Sequence, residues 1–164
     1  MGIRLPGVLE RLLNDLGYQW PEVDEDKLLE LGQTWTNFSG TVSQHAQQAH
    51  THAQQVWTAN SGDSVDAFEQ KWNAGQQPRS NLNGVQQAST GAGVGMMAAA
   101  GIVLGLKVNT MVQLAMLAAE IIEAVATAPE TFGASLLEIP VFKEITGMII
   151  NGIVNEGINA LMSA

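Results

Sequence analysis

The chain has 164 residues, which is the size of one domain and enough to bury a sizeable core. Its formal net charge of −9 argues against docking on nucleic acids or anionic membranes, because both need clustered Lys and Arg side chains. The absence of cysteine excludes disulfides and thiolate chemistry.

The first 23 residues predict a short amphipathic helix and an acidic linker. Gly17 is the expected end of the helix, and Pro21 excludes helix from the linker. Charged residues interrupt this segment too early for a signal peptide, so export by the usual signal-peptide route is not expected. The predicted apolar face of the helix consists of Val8, Leu9, Leu12, Leu13 and Leu16.

A long helix is predicted from about Asp24 to Trp57, because apolar residues recur there at steps of three and four. Asp24 is the expected N-cap. The acidic run Glu22, Asp24, Glu25 and Asp26 is interpreted as a solvated helix start beside the positive end of the helix dipole. The apolar stripe comprises Leu28, Leu31, Trp35, Phe38, Val42, His45 or Ala46, Ala49, Ala53 and Val56.

The stretch VWTANSGDSVDAFEQKW, residues 56–72, predicts the closed end of a helical hairpin. Asn60-Ser61-Gly62-Asp63 is turn chemistry, and Ser61 or Asp63 can cap the next helix. Trp57 ends one apolar stripe, and the next begins with Val65, Phe68 and Trp72.

The second hairpin helix is expected to end or kink near residues 74–78, at Pro78. Helix then resumes and enters the most apolar part of the chain, which we interpret as a helix buried on most sides followed by an amphipathic one. The pairs Gly91/Gly95 and Gly101/Gly105 are expected to mark close helix packing.

Breaks are predicted at Pro129, Gly133 and Pro140, before a last helix from Phe142 to Met162. The predicted fold is therefore all-α: a long helical hairpin with a W-x-G-type turn, extended by C-terminal helices into an elongated bundle. We expect a single domain over residues 1–164, divided into an N-terminal helix with its acidic linker (1–23), the hairpin (24–90) and an apolar helical extension (91–164).

No enzyme, metal or cofactor site is predicted. His45, His50 and His52 lack the i, i+4 spacing of metal ligands and are interpreted as a solvated face. GAGVG at 91–95 lacks the Gly-Lys-Ser/Thr of a phosphate loop. Glu120 and Glu123, amid apolar residues, are interpreted as charges at an interface or at the edge of the core.

Trp57, Gly62, Ala67-Phe68 and Trp72 resemble the W-x-G hairpin of the Esx-type small secreted proteins, with a turn three residues longer. With LPGVLERLLNDLGYQWPEVDED and FGASLLEIPVF, nearly the whole chain resembles the N-terminal domain of actinobacterial polymorphic toxins.

That resemblance implies a helical module recognised by a type VII secretion machine, which pairs with small Esx-like partners or with itself and precedes a toxin domain. The implied hairpin turn and partner interface comprise Trp57, Gly62, Phe68, Trp72, Trp35 and Phe38. The family's usual export signal is Tyr-x-x-x-Asp/Glu after the second helix. The only Tyr, Tyr18, precedes the hairpin, so we expect the signal on the partner.

Two other interpretations stay open. Residues 91–128 could insert into a membrane as a hairpin turning at Lys107 and Asn109, although their length is marginal and Glu120 and Glu123 oppose it. Alternatively, the domain only protects a fused toxin. For the aromatic residues, core packing competes with an interface role. We expect core packing for Trp35, Phe38 and Phe68, whereas Trp57 and Trp72 are expected to be both structural and interface-forming.

Overall fold

The computed structural model describes residues 2–74 and 78–163, within which all regular elements are helices and no strand occurs. This confirms the predicted all-α class. The part of the predicted helix break that falls on residues 75–77 lies outside the described residues. The helices are α1 (Gly7–Asp15), α2 (Glu25–Ala59), α3 (Asp63–Asn73), α4 (Pro78–Thr127), a short 3-10 helix (Ala134–Leu137) and α5 (Glu138–Ser163).

The chain packs as two compact units. The first unit combines Met1–Leu28 with Ala98–Ala164, and the second consists of Leu29–Met97. The boundaries fall inside α2 and α4, so each long helix contributes to both units. The predicted subdivision at residues 23 and 90 stays a prediction.

The centre of the first unit is formed by Leu13 of α1, Leu114 of α4 and Ile150 of α5, all almost fully buried. Helix α1 ends as predicted, since Gly17 takes a positive φ of 84° that disfavours other residues. The predicted face of α1 is wrong at Val8, which is 71% exposed because the buried side centres on Leu13.

Helix α4 is one continuous helix of 50 residues, so the predicted division into two helices is wrong. The segment contains no proline after Pro78, and its glycines each cost only about 1 kcal/mol within a helix. Lys107 and Asn109, at which a membrane-inserted hairpin would turn, both lie inside the helix in this structure.

Between α4 and α5, the break predicted at Pro129 and Gly133 is confirmed. Gly133 adopts a left-handed conformation (φ 84°) and its N–H donates to Ala128 O at 2.8 Å. The break predicted at Pro140 is wrong, since α5 already begins at Glu138. Proline fits the first turn of a helix, where backbone N–H groups need no partner within the helix.

In the second unit, α2 and α4 cross closely at Gly32 and Gly93. A Cβ built on Gly93 would lie 2.5 Å from Thr36 Oγ1 and 2.8 Å from Gly32 O, and one on Gly32 would lie 2.8 Å from Gly93 O. Glycines therefore do mark close helix packing here, but they are Gly32 and Gly93 and not the four glycines that were predicted. Built Cβ atoms on Gly91, Gly95, Gly101 and Gly105 meet nothing within 4 Å.

One heptad further along α2, the buried Ser39 hydroxyl donates to Gln86 O at 3.0 Å and lies 2.7 Å from Thr90 Oγ1. Within the second unit, the buried residues of α2 are all small or medium in size: Gly32, Ser39, Val42, Ala46 and Ala53. Close approach of the two helix backbones thus selects small side chains for the packed face.

Gly93→Ala is expected to lower the free energy of unfolding by about 1–3 kcal/mol, the usual cost of overpacking. The added methyl must displace the Thr36 hydroxyl and the backbone of Gly32. Urea unfolding followed by circular dichroism measures the change.

Gly91→Ala is the matched control, because its Cβ enters open space. It should be neutral or stabilise by up to about 1 kcal/mol through helix propensity. Equal effects of the two substitutions would contradict the close crossing.

Candidate functional site

Aromatic rings from α2 and α3 form one cluster of tilted contacts at the closed end of the hairpin. The ring centroids of Trp57 and Phe68 are 5.8 Å apart, as are those of Phe68 and Trp72. The ring of His50 lies 6.2 Å from that of Trp57, and Trp72 Nε1 donates to His50 Nδ1 at 3.1 Å. We call His50, Trp57, Phe68 and Trp72 the ring cluster. It attaches α3 to the last two and a half turns of α2.

The turn between α2 and α3 depends on glycine. Gly62 has φ 125° and ψ 163°, a region that only glycine occupies readily, and its carbonyl accepts from Val65 N at 2.8 Å. Thr58 and Ala59 continue α2, so part of the longer Trp57-to-Gly62 spacing is helix and only Asn60 and Ser61 precede the glycine.

The predicted side-chain cap of α3 is wrong for both Ser61 and Asp63. Gly62 occupies the N-cap position, where no side chain accepts from the helix, and Asp63 is already the first helical residue. Asp63 and Asp66 instead lie in the first turn of α3, where their negative charges interact favourably with the positive end of the helix dipole.

His50 is the member of the ring cluster that the sequence analysis missed. His45 and His52 are exposed, as expected of a solvated face, but His50 is half-buried and accepts the Trp72 hydrogen bond. A signal was present in the sequence, because His50 precedes Ala53 by three residues and Trp57 by seven and so shares their helix face.

Trp35 and Phe38 form a separate aromatic pair on α2. Their rings meet edge to face with centroids 6.0 Å apart, and their exposed fractions are 39% and 46%. Leu31, also exposed, lies one turn before Trp35. We call Leu31, Trp35 and Phe38 the aromatic face. It lies about 33 Å along α2 from Trp57, at about 1.5 Å per residue.

The expectation that Trp35, Phe38 and Phe68 pack in the core is wrong, since each is more than a third exposed. On α2 the physical reason is the close crossing with α4, which favours the adjacent small residues on the packed side. Trp57 and Trp72 are half-buried. The predicted site residues therefore fall into two places: the ring cluster with Gly62, and the aromatic face.

A buried ion pair lies in the first unit. Lys107 Nζ is 2.6 Å from Glu25 Oε2, and the two side chains are 2% and 5% exposed. Lys107 also donates to Val23 O, and Nζ lies 5.9 Å from the centroid of the Trp20 ring. The interpretation of the acidic run as a solvated helix start is therefore wrong at Glu25. Lys107 is the only charged residue between positions 79 and 120, which could have indicated a specific partner.

The same carboxylate holds the N-terminal segment, because the backbone N–H of Ile3 donates to Glu25 Oε1. Trp20 Nε1 donates to Ile3 O at 3.3 Å. Burial by itself raises the pKa of Glu25, but the Ile3 N–H and the Lys107 ammonium together outweigh it, and the pKa is lowered.

Asp24 caps α2 as predicted. Its Oδ1 accepts from the backbone N–H of Lys27 at 3.2 Å, and this hydrogen bond lowers the pKa of the carboxyl group.

Comparison with protein families gives one match, a WXG100-like domain over residues 7–146, which is most of the chain. The chain belongs to the WXG100-like family. Comparison with curated proteins and with solved structures gives no significant match. The Esx-type resemblance is thereby confirmed at the level of the domain family.

WXG100-like membership makes the chain a helical protein related to type VII secretion. Members of the family are generally non-enzymatic, and they typically self-associate or pair with other WXG proteins. Within residues 2–74 and 78–163, no group of three or more His, Cys, Asp or Glu side chains is arranged to hold a metal ion.

Gly62→Ala is expected to lower the free energy of unfolding by about 1–3 kcal/mol through backbone strain alone. The built Cβ meets nothing within 4 Å, so no steric clash contributes. Gly40→Ala is the control, because Gly40 is exposed inside α2 and should gain stability from alanine. Thermal unfolding followed by circular dichroism measures both. An unchanged melting temperature for Gly62→Ala would contradict the assigned turn.

Acid is expected to destabilise the first unit through Glu25. A carboxyl whose pKa is lowered on folding contributes stability above its ordinary value of 4.5, and that stability is lost as pH falls through the lower folded value. Glu25→Gln should therefore flatten the loss of stability below pH 4.5, and at neutral pH it should cost about 3–5 kcal/mol by leaving the Lys107 charge buried and unpaired.

Urea unfolding between pH 7 and pH 2.5 measures this dependence. Glu22→Gln, which changes an exposed carboxylate of the same acidic run, should keep the wild-type profile. A Glu25→Gln profile parallel to that of the wild type would show that the pair does not respond to acid.

Proposed function

We propose that this chain is the non-enzymatic secretion-targeting and protein-interaction module of a type VII-exported toxin or effector, and that it docks a small Esx-like helical partner. The observation that carries the proposal is the aromatic face of α2. A tryptophan, a phenylalanine and a leucine lie exposed along one strip of α2, directly beside the small residues of the same helix that are buried.

The chemistry of the aromatic face suits a helical partner. Large aromatic side chains supply most of the energy at protein interfaces when a partner excludes water from them. Residues at positions 31, 35 and 38 follow the spacing by which one amphipathic helix lies in the groove of another. The edge-to-face contact orders the two rings before a partner arrives, which reduces the entropy lost on binding.

The ring cluster has a supporting role in this proposal. It holds α3 against α2 through the ring contact between Trp57 and Phe68 and through the Trp72–His50 hydrogen bond. Phe68 is 37% exposed and offers a second apolar contact at the closed end of the hairpin. We propose that Trp57 and Trp72 fix the hairpin and that Phe68 contributes to the partner interface.

The export route is part of the proposal. Synthesis in the cytoplasm followed by signal-peptide-independent export, to the cell surface or beyond, suits a type VII-related domain. Tyr18 lies between α1 and α2, and its hydroxyl donates to Gly147 O at 3.2 Å within the first unit. Because the Tyr18 hydroxyl is used in a hydrogen bond within the fold, its position supports the proposal that the partner carries the export signal.

The partner proposal is tested by co-expressing the chain with each small WXG-type protein encoded beside its gene, followed by size-exclusion chromatography. A stable complex is expected. The double substitution Trp35→Ser and Phe38→Ser should weaken it at least tenfold, because the anchoring rings are lost, and circular dichroism of the free chain checks that the helical fold is kept.

Leu29→Ser is the matched control, since Leu29 is exposed on a different side of α2 and should leave the complex intact. The proposal fails if no neighbouring protein binds and export persists in its absence. It also fails if both variants weaken the complex equally.

Membrane insertion remains the second candidate, because one helix of the described chain, Ser80–Thr127, is long and apolar enough to cross a bilayer. Only 22% of its most apolar window is buried. The buried Lys107–Glu25 pair opposes insertion, since it would have to separate. Dye leakage from lipid vesicles at neutral or acidic pH, abolished by Leu104→Asp, would favour this candidate over partner docking.

A further inference from the structure

Helix α3 depends on its contacts with α2 to stay in place. None of its residues, Asp63 to Asn73, is buried. Its side chains reach α2 through the ring contact of Phe68 with Trp57 and through the hydrogen bond from Trp72 Nε1 to His50 Nδ1 at 3.1 Å. A helix of 11 residues is too short to be stable alone in water, so these contacts decide whether α3 stays docked.

The hydrogen bond between Trp72 and His50 can form in only one protonation state of the histidine. An indole N–H can only donate, so Nδ1 of His50 must accept with its lone pair. The ring is therefore neutral and carries its own proton on Nε2. A protonated ring carries an N–H on both nitrogens, and it would set a second donor against the Trp72 N–H. Protonation thus replaces this hydrogen bond with a repulsion between two donors.

We propose that His50 is a pH-sensitive switch: when its ring takes up a proton, the hydrogen bond to Trp72 is lost and α3 is released from α2. Histidine changes its charge between about pH 5 and 8, so mild acid is sufficient. The half-buried rings of Trp57 and Trp72 then become open to water. Mild acid would in this way uncover apolar surface at the closed end of the hairpin.

The side chains that surround His50 on α2 and α4 do not favour either charge state strongly. Helix α2 carries no Asp, Glu, Lys or Arg after position 30, and His45 and His52 are exposed on other sides of the helix. The nearest charged position on α4 is Arg79, one turn before Asn83. His50 lies in an open groove between the two helices, whose other polar side chains are all uncharged: Ser43, Gln47, Thr51, Asn83 and Gln86.

The charged residues of α3 oppose one another beside His50. Glu69 and Lys71 flank the docked side of the helix, and their charges act in opposite directions on a protonated histidine ring. Asp63 and Asp66 lie in the first turn, at least about 9 Å along the helix from Trp72 at about 1.5 Å per residue. The response of α3 to mild acid therefore depends on whether the histidine accepts from Trp72 or donates towards it.

The contact of His50 with Trp57 does not compensate for the lost hydrogen bond. Both residues belong to α2, so their rings stay close to each other whether or not α3 is docked. After protonation, the ring pair of Trp57 and Phe68 is the aromatic contact that remains between the helices. Loss of the hydrogen bond, with two donors left opposed, should lower the docking equilibrium constant about tenfold or more.

The wild-type chain alone can be tested through its four tryptophan indole N–H signals in a nitrogen-15 NMR spectrum. Between about pH 8 and about pH 5, the Trp72 signal should move from a hydrogen-bonded to a water-exposed position, whereas the signal of Trp35, on the aromatic face, should stay. The acid response of Glu25 lies below pH 4.5 and so falls outside this range.

Release of α3 is measured by the distance between two spin labels. The labels are attached to exposed positions on the two helices, Gln54→Cys and Gln70→Cys, and the natural absence of cysteine makes the labelling specific. The distance should become longer and more broadly distributed at about pH 5 than at about pH 8.

Substitutions of His50 separate its titration from that of the carboxylates. His50→Gln supplies an amide oxygen that can accept from Trp72 at every pH, so α3 should stay docked at about pH 5. His50→Lys places a charged donor at this position and should release α3 already at about pH 8. His52→Gln is the matched control, because His52 is exposed on another side of α2, and it should keep the wild-type response.

Three results would overturn the inference. The first is a wild-type Trp72 signal and label distance that are the same at both pH values. The second is an acid response that persists in His50→Gln, which would assign it to Glu69 or to the aspartates of α3. The third is a folded His50→Lys chain whose α3 stays docked. The wild-type titration decides the matter even if a variant fails to fold, and partner docking is not involved because the chain is measured alone.

Discussion

The close crossing of α2 and α4 at Gly32 and Gly93 is the constraint from which the arrangement of the second unit follows. Two backbones that approach this closely leave no room for a Cβ at either glycine, and the Ser39 hydrogen bonds continue the contact along the helices. Small residues therefore occupy the packed side of α2, and larger apolar residues remain outside. The aromatic face exists because the crossing excludes it.

This constraint also explains which parts of the fold were predictable. Helical periodicity, the acidic start of α2 and the Ser-Gly turn located the helices and the hairpin. Periodicity placed Val42 and Ala53 correctly on the packed stripe of α2, but it extended that stripe to Trp35 and Phe38, which are exposed. Gly32 and Ser39, which a hydrophobic pattern leaves out, are buried instead, because the close approach of the two backbones favours small side chains there.

The residues that sequence reasoning missed are those whose partners are distant in the sequence. Glu25 and Lys107 are separated by 82 positions and form a buried ion pair that the sequence around either residue does not predict. His50 looked like one of three solvated histidines until α3 brought Trp72 against it. Conversely, the turn at Gly62 could be predicted from sequence, because a turn depends on neighbouring residues. That Gly62, and not Ser61 or Asp63, takes the N-cap position follows only from the backbone angles in the structure.

The connection between Glu25 and Lys107 has a consequence for the order of folding during synthesis. Residues 29–97 form a continuous stretch of chain, so the second unit has all of its segments once position 97 has left the ribosome. Residues 1–28 must wait until α4 has been made through Lys107 and until α5 supplies Ile150. The amino-terminal segment, although made first, can therefore reach its final place only after Ile150 has been made, well after the second unit has all of its segments.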